Sequence, residues 1–212
     1  MRIAELWRYP VKSMAGERLQ SATVTTNGIV GDRIIQVLNS RQRTVTSRTR
    51  PRLLLHQATL GPMDEVLVDN RPWQSAEVRR DVEAAAGPGA TLVASDHPSR
   101  FDILPLLVIS DGAVAAVGED VRRFRPNILI EGVEGLNERK WAGGRLRAGN
   151  VLIGVQDPRE RCIMTTFDPD TIAQDVEVLY RIQRDFEGVL GLNCWVVSGG
   201  VMSVGDIVTL DK

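Results

Sequence analysis

The feature of this sequence that most constrains its fold is a succession of short β-prone segments separated by turn residues. Apolar and polar residues alternate for a few positions at a time, and pairs such as Asn27-Gly28 and Gly31-Asp32 interrupt them. The first half predicts strands over residues 2–9, 18–26, 34–39, 44–46, 53–60 and 65–68. The second half predicts strands over residues 104–110, 127–131, 145–156, 193–198 and 206–210.

Helical spacing of apolar residues occurs in three windows, residues 75–86, 111–123 and 173–186. So few and so irregularly placed helices do not fit a parallel sheet built from strand–helix–strand units. The sequence therefore predicts a mainly β fold with minor α content, a closed or nearly closed β-barrel with an integrated N-terminal β-rich region. We expect the N-terminal region to span residues 1–95 and the barrel core residues 96–212, closely packed on each other.

Composition excludes several classes of protein. A formal charge of −1 provides no overall field that attracts nucleic acid or a membrane surface. The N-terminus lacks the apolar segment of a signal peptide, and no run approaches the ~20 apolar residues of a membrane span. We therefore expect a cytoplasmic protein with no nucleic-acid or membrane partner. Two cysteines and two histidines, at these spacings, favour neither a disulfide framework nor a closed zinc site.

Polar and basic residues recur at predicted strand ends and tight turns, whereas phosphate-loop, dinucleotide-binding and hydrolase-elbow motifs are absent. Each of these residues alone is explained as a solvated surface group. Together they are the kind of ring that binds a phosphate and the edge of a heterocycle. The ring consists of Lys12, Ser13, Arg33, Arg48, Arg125, Asn127 and Arg161.

The segment 41–52 carries five arginines and could suggest nucleic acid. Without aromatic platforms or a basic overall charge, a solvated hairpin or a small-anion site is the better interpretation.

The two cysteines differ in their surroundings. Cys162 follows Arg159 and Arg161, which favour the thiolate form that binds metals. Cys194 lies among apolar residues and is interpreted as a core residue. Asp168 begins an Asp-Pro-Asp-Thr turn, for which capping of the next segment is a simpler explanation than catalysis. His56 and His97 are interpreted as surface or structural residues.

Six motifs occur in the order found in MOSC proteins, and the terminal Val204-Gly205-Asp206-Ile207-Val208 resembles the family's last strand. The chain is most similar to the mitochondrial amidoxime-reducing components and their bacterial counterparts. The motifs are Tyr9-Pro10-Val11-Lys12-Ser13, Gly31-Asp32-Arg33, the segment from Thr46 to Leu53, Phe124-Arg125-Pro126-Asn127-Ile128, the segment from Arg161 to Thr166, and Asp168-Pro169-Asp170-Thr171.

The resemblance implies a molybdenum–pterin cofactor (Mo-molybdopterin) whose metal is held by Cys162, the catalytic residue. It further implies that Lys12, Ser13 and Arg33 contact the phosphate region and that Arg125 and Asn127 hold the pterin. Neighbours of the site would be Arg48, Ser110 and Arg161. The chain differs from the family in a shorter region between residues 60 and 101, and we expect no mitochondrial presequence, membrane anchor or ferredoxin-like extension.

From these observations we expect an oxidoreductase that reduces small N-hydroxylated compounds with electrons from a separate reductase protein. The main alternative is a non-redox carrier in which Cys162 holds sulfur or passes the cofactor on. An anion-binding or nucleic-acid module that uses residues 41–52 is the third possibility.

Overall fold

A computed structural model describes residues 1–211 and shows a mainly β protein. The strands are β1 (Arg2–Arg8), β2 (Glu17–Leu19), β3 (Ser21–Thr25), β4 (Gly28–Ile29), β5 (Ile35–Leu38), β6 (Thr44–Val45), β7 (Ala58–Leu60), β8 (Val66–Val68), β9 (Arg71–Pro72), β10 (Thr91–Ala94), β11 (Leu106–Ser110), β12 (Ile128–Glu131), β13 (Arg145–Ala148), β14 (Val151–Glu160), β15 (Val189–Ser198), β16 (Gly200–Ser203) and β17 (Val208–Asp211).

Three α-helices and five 3₁₀ turns interrupt the strands. The α-helices are α1 (Ala76–Ala86), α2 (Asp111–Val117) and α3 (Glu177–Asp185). The 3₁₀ turns are Pro51–Leu55, Pro98–Arg100, Val121–Phe124, Asn137–Trp141 and Ile163–Thr166. Helix α1 begins where the side chain of Ser75 accepts a hydrogen bond from the Val78 amide, and it buries Val78 and Val82. None of the helices within residues 1–211 combines the length and apolar character that crossing a bilayer requires.

Eight strands form one large sheet in the order β17-β13-β14-β15-β11-β12-β1-β2. Strands β11 and β12 are parallel, and the other neighbouring pairs are antiparallel. The sheet curls, because the Ile3 amide donates to Asp206 O and the Val208 amide to Met1 O, at 3.0 and 2.9 Å. These bonds bring β1 beside the start of β17. Within residues 1–211, however, the hydrogen-bonded pairing of strands does not close the sheet into a complete barrel.

Two smaller bodies of structure flank the large sheet. In the N-terminal part, the sheet β10-β5-β6 packs with α1 around a separate apolar core that includes Val37, Leu53 and Val82. On the other side, α2 and α3 bury Ile109, Phe124 and Ile182. The Cys162 region described below lies where the N-terminal part meets the end of β14.

Several predicted elements differ from the structure. The strand expected over residues 18–26 is divided into β2, which pairs with β1, and β3, which pairs with β16. Residues 53–60 were expected to form one strand, but Pro51 starts a 3₁₀ turn and only Ala58–Leu60 is extended, because a short apolar run fits either conformation. The helix expected over residues 111–123 ends at Gly118, which adopts the left-handed conformation that commonly ends helices. The strand expected over 145–156 is the hairpin of β13 and β14.

The boundary that the sequence predicts between residues 95 and 96 falls directly after a strand. Strand β10 pairs with β5 from Thr91↔Leu38 to Ala94↔Ile35 and therefore belongs to the N-terminal part. The irregular connection to the second half follows β10, between Ala94 and the start of β11.

Candidate functional site

Cys162 lies just beyond the end of β14, where the chain leaves the large sheet and enters the 3₁₀ turn Ile163–Thr166. Its carbonyl accepts hydrogen bonds from the backbone amide and the hydroxyl of Thr165, at 3.0 and 2.9 Å. The thiol is free and partly exposed. The fold therefore presents this thiol at a strand end with its backbone already fixed.

Around Cys162 the structure brings together most of the residues that the sequence singled out. A cavity of about 70 Å³ adjoins the thiol. Its walls include Lys12, Ser13, Arg33, Arg48, Arg125, Arg159 and Arg161. These residues come from the turn after β1, the loops around β5 and β6, the turn before β12 and the end of β14. Residues separated by up to about 150 positions in sequence thus meet at one site.

Three of these residues adopt the left-handed backbone conformation that non-glycine residues rarely occupy. Ser13, Arg33 and Arg125 have φ values of 75°, 53° and 54°. Such conformations cost on the order of 1–3 kcal/mol each and persist where the surrounding structure enforces them. All three residues line the cavity beside Cys162, and this backbone strain favours a functional role for the cavity.

Tyr9 supports two of the arginines, a role that its motif alone does not indicate. Its ring is buried, with the Arg125 and Arg33 guanidinium carbons 4.2 and 5.1 Å from the ring centre. Its hydroxyl donates to Pro126 O at 3.1 Å. Burial raises the pKa of Tyr9 above its ordinary value, so the phenol stays neutral and acts as a flat support.

Asn127 and Ser110 do not line the cavity beside Cys162. The side-chain oxygen of Asn127 accepts from the Leu107 amide at 3.1 Å and from Arg33 at 3.4 Å. Asn127 therefore contacts Arg33, which lines the cavity, without lining the cavity itself. Ser110 is fully buried, and its hydroxyl caps α2 by accepting from the Ala113 amide at 3.1 Å. Ser110 therefore has a structural role as a helix cap, and its place beside a cofactor stays a prediction.

Positive charge in the cavity exceeds negative charge. Six cationic side chains line it against two carboxylates, Asp102 and Glu160. Within residues 1–211, Arg125 and Arg161 form no ion pair with a carboxylate. Burial lowers the pKa of each to about 10, and the Nε atom of Arg161 is buried without a hydrogen-bond partner. Unpaired buried guanidinium groups favour an anionic ligand at this site.

Asp102 is a site residue that no motif indicated. It contacts Lys12, Arg48 and Arg159, and it lies in the irregular connection that precedes β11. Burial alone would raise the pKa of Asp102, but the three cations outweigh that effect and lower it. Burial likewise lowers the pKa of Arg48, but Asp102 and then Cys162 outweigh it and raise that pKa. These charges therefore form one interacting group around the thiol.

A larger cleft of about 360 Å³ adjoins the cavity, and Arg125 and Met164 line both. Its apolar surface comes from both halves of the chain and includes Trp7, Leu54 and Phe167. At its rim, Arg122 donates to Asp170 at 2.8 Å. A cleft with apolar walls therefore lies next to the cationic cavity beside Cys162.

The remaining candidates have structural roles. Cys194 is fully buried in β15, and burial raises its pKa. His56 bonds Asp69 at 2.7 Å, and His97 bonds Ser99 at 2.8 Å. Asp168 accepts from the amide and hydroxyl of Thr171, as expected of a capped turn. Among residues 1–211, no group of three or more His, Cys, Asp or Glu side chains is placed to hold a metal ion. Cys162 is therefore the side chain best placed to supply a single soft ligand.

Comparison with protein families accounts for nearly the whole chain. A model described as the MOSC N-terminal beta barrel domain matches residues 1–102, and a MOSC domain model matches residues 105–209. Among solved structures, the YuaD protein from Bacillus subtilis aligns over 100% of this chain and 95% of its own. The TM-score of 0.52 at 14% sequence identity indicates a shared fold.

Characterised relatives point to the same family. Mitochondrial amidoxime-reducing component 1 from Homo sapiens is 27% identical over 227 residues, which cover 80% of this chain and 67% of that protein. Mitochondrial amidoxime reducing component 2 from Macaca fascicularis is 25% identical with the same coverage. Molybdenum cofactor sulfurase 2 from Culex quinquefasciatus is 37% identical over 68 residues, 32% of this chain and 9% of that protein. The chain belongs to the MOSC family.

Proposed function

We propose that this protein is a molybdenum-cofactor-dependent oxidoreductase that reduces small N-hydroxylated compounds with electrons from a separate reductase protein. The observation that carries the proposal is the free thiol of Cys162 at the edge of a cavity with six cationic side chains. The similarity to amidoxime-reducing components supports the reaction class. The cytoplasmic location of the protein and the identity of its electron donor stay predictions.

The residues present fit a cofactor with a soft-metal end and an anionic end. A thiolate is a suitable ligand for a soft metal centre, and Cys162 offers one with Arg159 and Arg161 nearby. Arg161 donates to Phe124 O at 2.8 Å, but its Nε atom has no partner, and neither Arg125 nor Arg161 is paired with a carboxylate within residues 1–211, so both fit an anion. The cleft of about 360 Å³ next to Arg125 has room for a planar heterocycle.

In the proposed complex, Cys162 would hold the metal and the cations would hold the anionic groups. Lys12, Ser13 and Arg33 would bind the phosphate region, and Arg125 and Arg161 would contact the pterin. Asn127 would act through Arg33, to which it is hydrogen-bonded. When bound, the cofactor supplies the two-electron redox chemistry that these side chains lack.

The rim of the cavity and the adjoining cleft would orient the substrate. The apolar surfaces of Leu54 and Phe167 would receive the carbon skeleton of an N-hydroxylated base and exclude water from it. Nearby guanidinium groups would donate hydrogen bonds to the N–O oxygen. The cationic surroundings disfavour protonated bases and favour neutral amidoximes.

Protein produced in a molybdate-replete host tests this function. The cofactor-loaded protein should reduce a panel of amidoximes over many turnovers with reduced viologen, and it should show no activity with NADH alone. The match to a cofactor sulfurase favours one other function, a carrier that passes on sulfur or cofactor through Cys162. Stoichiometric release without turnover from fully loaded protein would refute the reductase proposal and support the carrier.

A further inference from the structure

A separate cleft of about 620 Å³ lies in the N-terminal part of the molecule. None of the residues that line it also lines the cavity beside Cys162 or the adjoining cleft of about 360 Å³. The side chains of Trp73, Ile34 and Val66 contribute apolar surface to its walls, and we call it the Trp73 cleft. It therefore offers a small molecule both room and an apolar surface on which to pack.

Arg100 lines the Trp73 cleft with a buried guanidinium group that no carboxylate neutralises. The residue is only 7% exposed, and within residues 1–211 it forms no ion pair. Its Nη1 and Nη2 atoms donate to the carbonyl oxygens of Asp96 and Asn27, but its Nε atom is buried without a partner. A buried charge is costly unless an opposite charge compensates it. Part of the donor fork of Arg100 is therefore free for an anionic group.

Three carboxylates that line the same cleft disfavour a simple anion. Asp64, Glu65 and Asp96 are exposed, and none of them forms an ion pair within residues 1–211. They would repel a ligand with negative charge alone. A ligand with positive charge alone would satisfy the carboxylates but leave the guanidinium of Arg100 without an anion. A zwitterion meets both requirements, because each of its charges finds an opposite charge in the cleft.

We propose that the Trp73 cleft binds a free α-amino acid with an apolar side chain. The Asp96 carbonyl oxygen accepts a hydrogen bond from Arg100, so the two residues that carry opposite charges are in direct contact. This closeness suits a ligand whose carboxylate and ammonium group share one carbon atom. The apolar side chain of the ligand would pack against Trp73 and Ile34. The site is independent of the proposed function, because it shares no lining residue with the cavities assigned to cofactor and substrate.

Calorimetric titration of the cofactor-free protein with L-phenylalanine and L-leucine tests the site. Two analogues of L-phenylalanine each remove one charge. L-phenylalaninamide lacks the carboxylate and should bind about tenfold more weakly, and N-acetyl-L-phenylalanine lacks the ammonium group and should bind about fivefold more weakly. The proposal is overturned if either analogue binds as tightly as L-phenylalanine, or if neither amino acid binds at about 10 mM.

Two variants test whether the amino acid binds in the Trp73 cleft. Asp96→Asn removes a carboxylate without an ion pair, so the protein should stay folded and bind L-phenylalanine about threefold more weakly. Arg100→Lys keeps the positive charge but loses the fork, so it should weaken L-phenylalanine and leave L-phenylalaninamide unchanged. The matched control is Glu134→Gln, because Glu134 is an exposed carboxylate outside the cleft without an ion pair within residues 1–211. Equal affinities of Asp96→Asn and Glu134→Gln would contradict the site.

A third measurement separates this inference from the proposed function. Cofactor-loaded and cofactor-free protein should bind L-phenylalanine with the same affinity, because the two sites have no lining residue in common. Loss of binding in the loaded protein would show that the amino acid occupies the cavity beside Cys162, and it would overturn the proposal. If the protein never retains a pterin but binds L-phenylalanine as described, the proposed function fails and the amino-acid site stands.

Discussion

Replacement of Arg125 by methionine should stabilise the cofactor-free protein while weakening its hold on the cofactor. Arg125 forms no ion pair within residues 1–211, and burial lowers its pKa to about 10. At roughly 1.4 kcal/mol per pKa unit, keeping this group charged costs the fold about 3 kcal/mol. Because the side chain adjoins a water-accessible cavity, we discount this cost to about 2 kcal/mol.

One favourable contact opposes this gain. The Arg125 guanidinium lies 4.2 Å from the ring centre of Tyr9, and this cation–π contact stabilises the wild-type protein by about 1 kcal/mol. Methionine keeps most of the apolar stem, and the left-handed backbone is equally strained for both residues. The net expectation is a stabilisation of about 1 kcal/mol, which corresponds to a rise in Tm of about 2–4 °C for a chain of this length.

Urea unfolding of cofactor-free Arg125→Met and wild-type protein measures this difference. The matched control is Arg122→Met, because Arg122 lines the adjoining cleft but is bonded to Asp120 and Asp170 at 2.7 and 2.8 Å. That variant should be destabilised by up to about 1 kcal/mol. A loss of more than about 1 kcal/mol in Arg125→Met would refute the view that this site keeps an uncompensated cation for a ligand.

Three further predictions concern individual residues. Cys162→Ala should abolish metal retention with little loss of stability. Cys194→Ala should lower the free energy of unfolding by about 1–2 kcal/mol, because it opens a small void in a closed core. Metal analysis measures the first effect and urea unfolding the second. Tyr9→Phe loses the hydrogen bond to Pro126 O and should cost about 1 kcal/mol in the same assay, and full stability would contradict this role. The three cations lower the pKa of Asp102, so this carboxylate stabilises the fold above its unfolded pKa of about 3.9, and the stabilisation is lost as the pH falls through the lower pKa of the folded state. Between about pH 5 and about pH 3, wild-type protein should therefore lose more stability than Asp102→Asn. Equal losses would contradict the pairing.

Electron delivery by a separate protein would depend on charge. The cationic surroundings of Cys162 would attract an acidic partner, so partner-driven turnover should fall as salt rises, while turnover with a small viologen donor should change little. Equal salt dependence with both donors would argue against docking at this surface.

Local patterns in the sequence predicted the helices and strands whose conformation depends mainly on residues close to them in the sequence. The spacing of Val78 and Val82 indicated α1, and the alternation in residues 2–8 indicated β1. The 3₁₀ turn Pro51–Leu55 could not be predicted in this way, because Leu53 and Leu54 fit a strand and a turn equally well and their burial depends on α1.

The candidate site was predictable where chemistry and sequence motif coincide. Lys12, Arg33 and Arg125 carry the charges that an anion requires, and their motifs resemble those of a known family. Asp102 was not predictable, because nothing in residues 96–105 shows that the chain returns to Lys12, 90 positions earlier, and to Arg159. The helix-capping role of Ser110 was likewise not predicted, because the resemblance suggested only a neighbour of the site and the fold uses its hydroxyl to begin α2.

X-ray absorption at the molybdenum edge tests most directly the claim that Cys162 holds the metal of a bound cofactor. Wild-type protein from a molybdate-replete host should contain about one molybdenum and one pterin per chain, with three sulfur neighbours, two from the pterin dithiolene and one from Cys162. Cofactor-reconstituted Cys162→Ser should show about one sulfur neighbour fewer. An identical sulfur count in wild type and variant, or wild-type protein without molybdenum and pterin, would contradict the account.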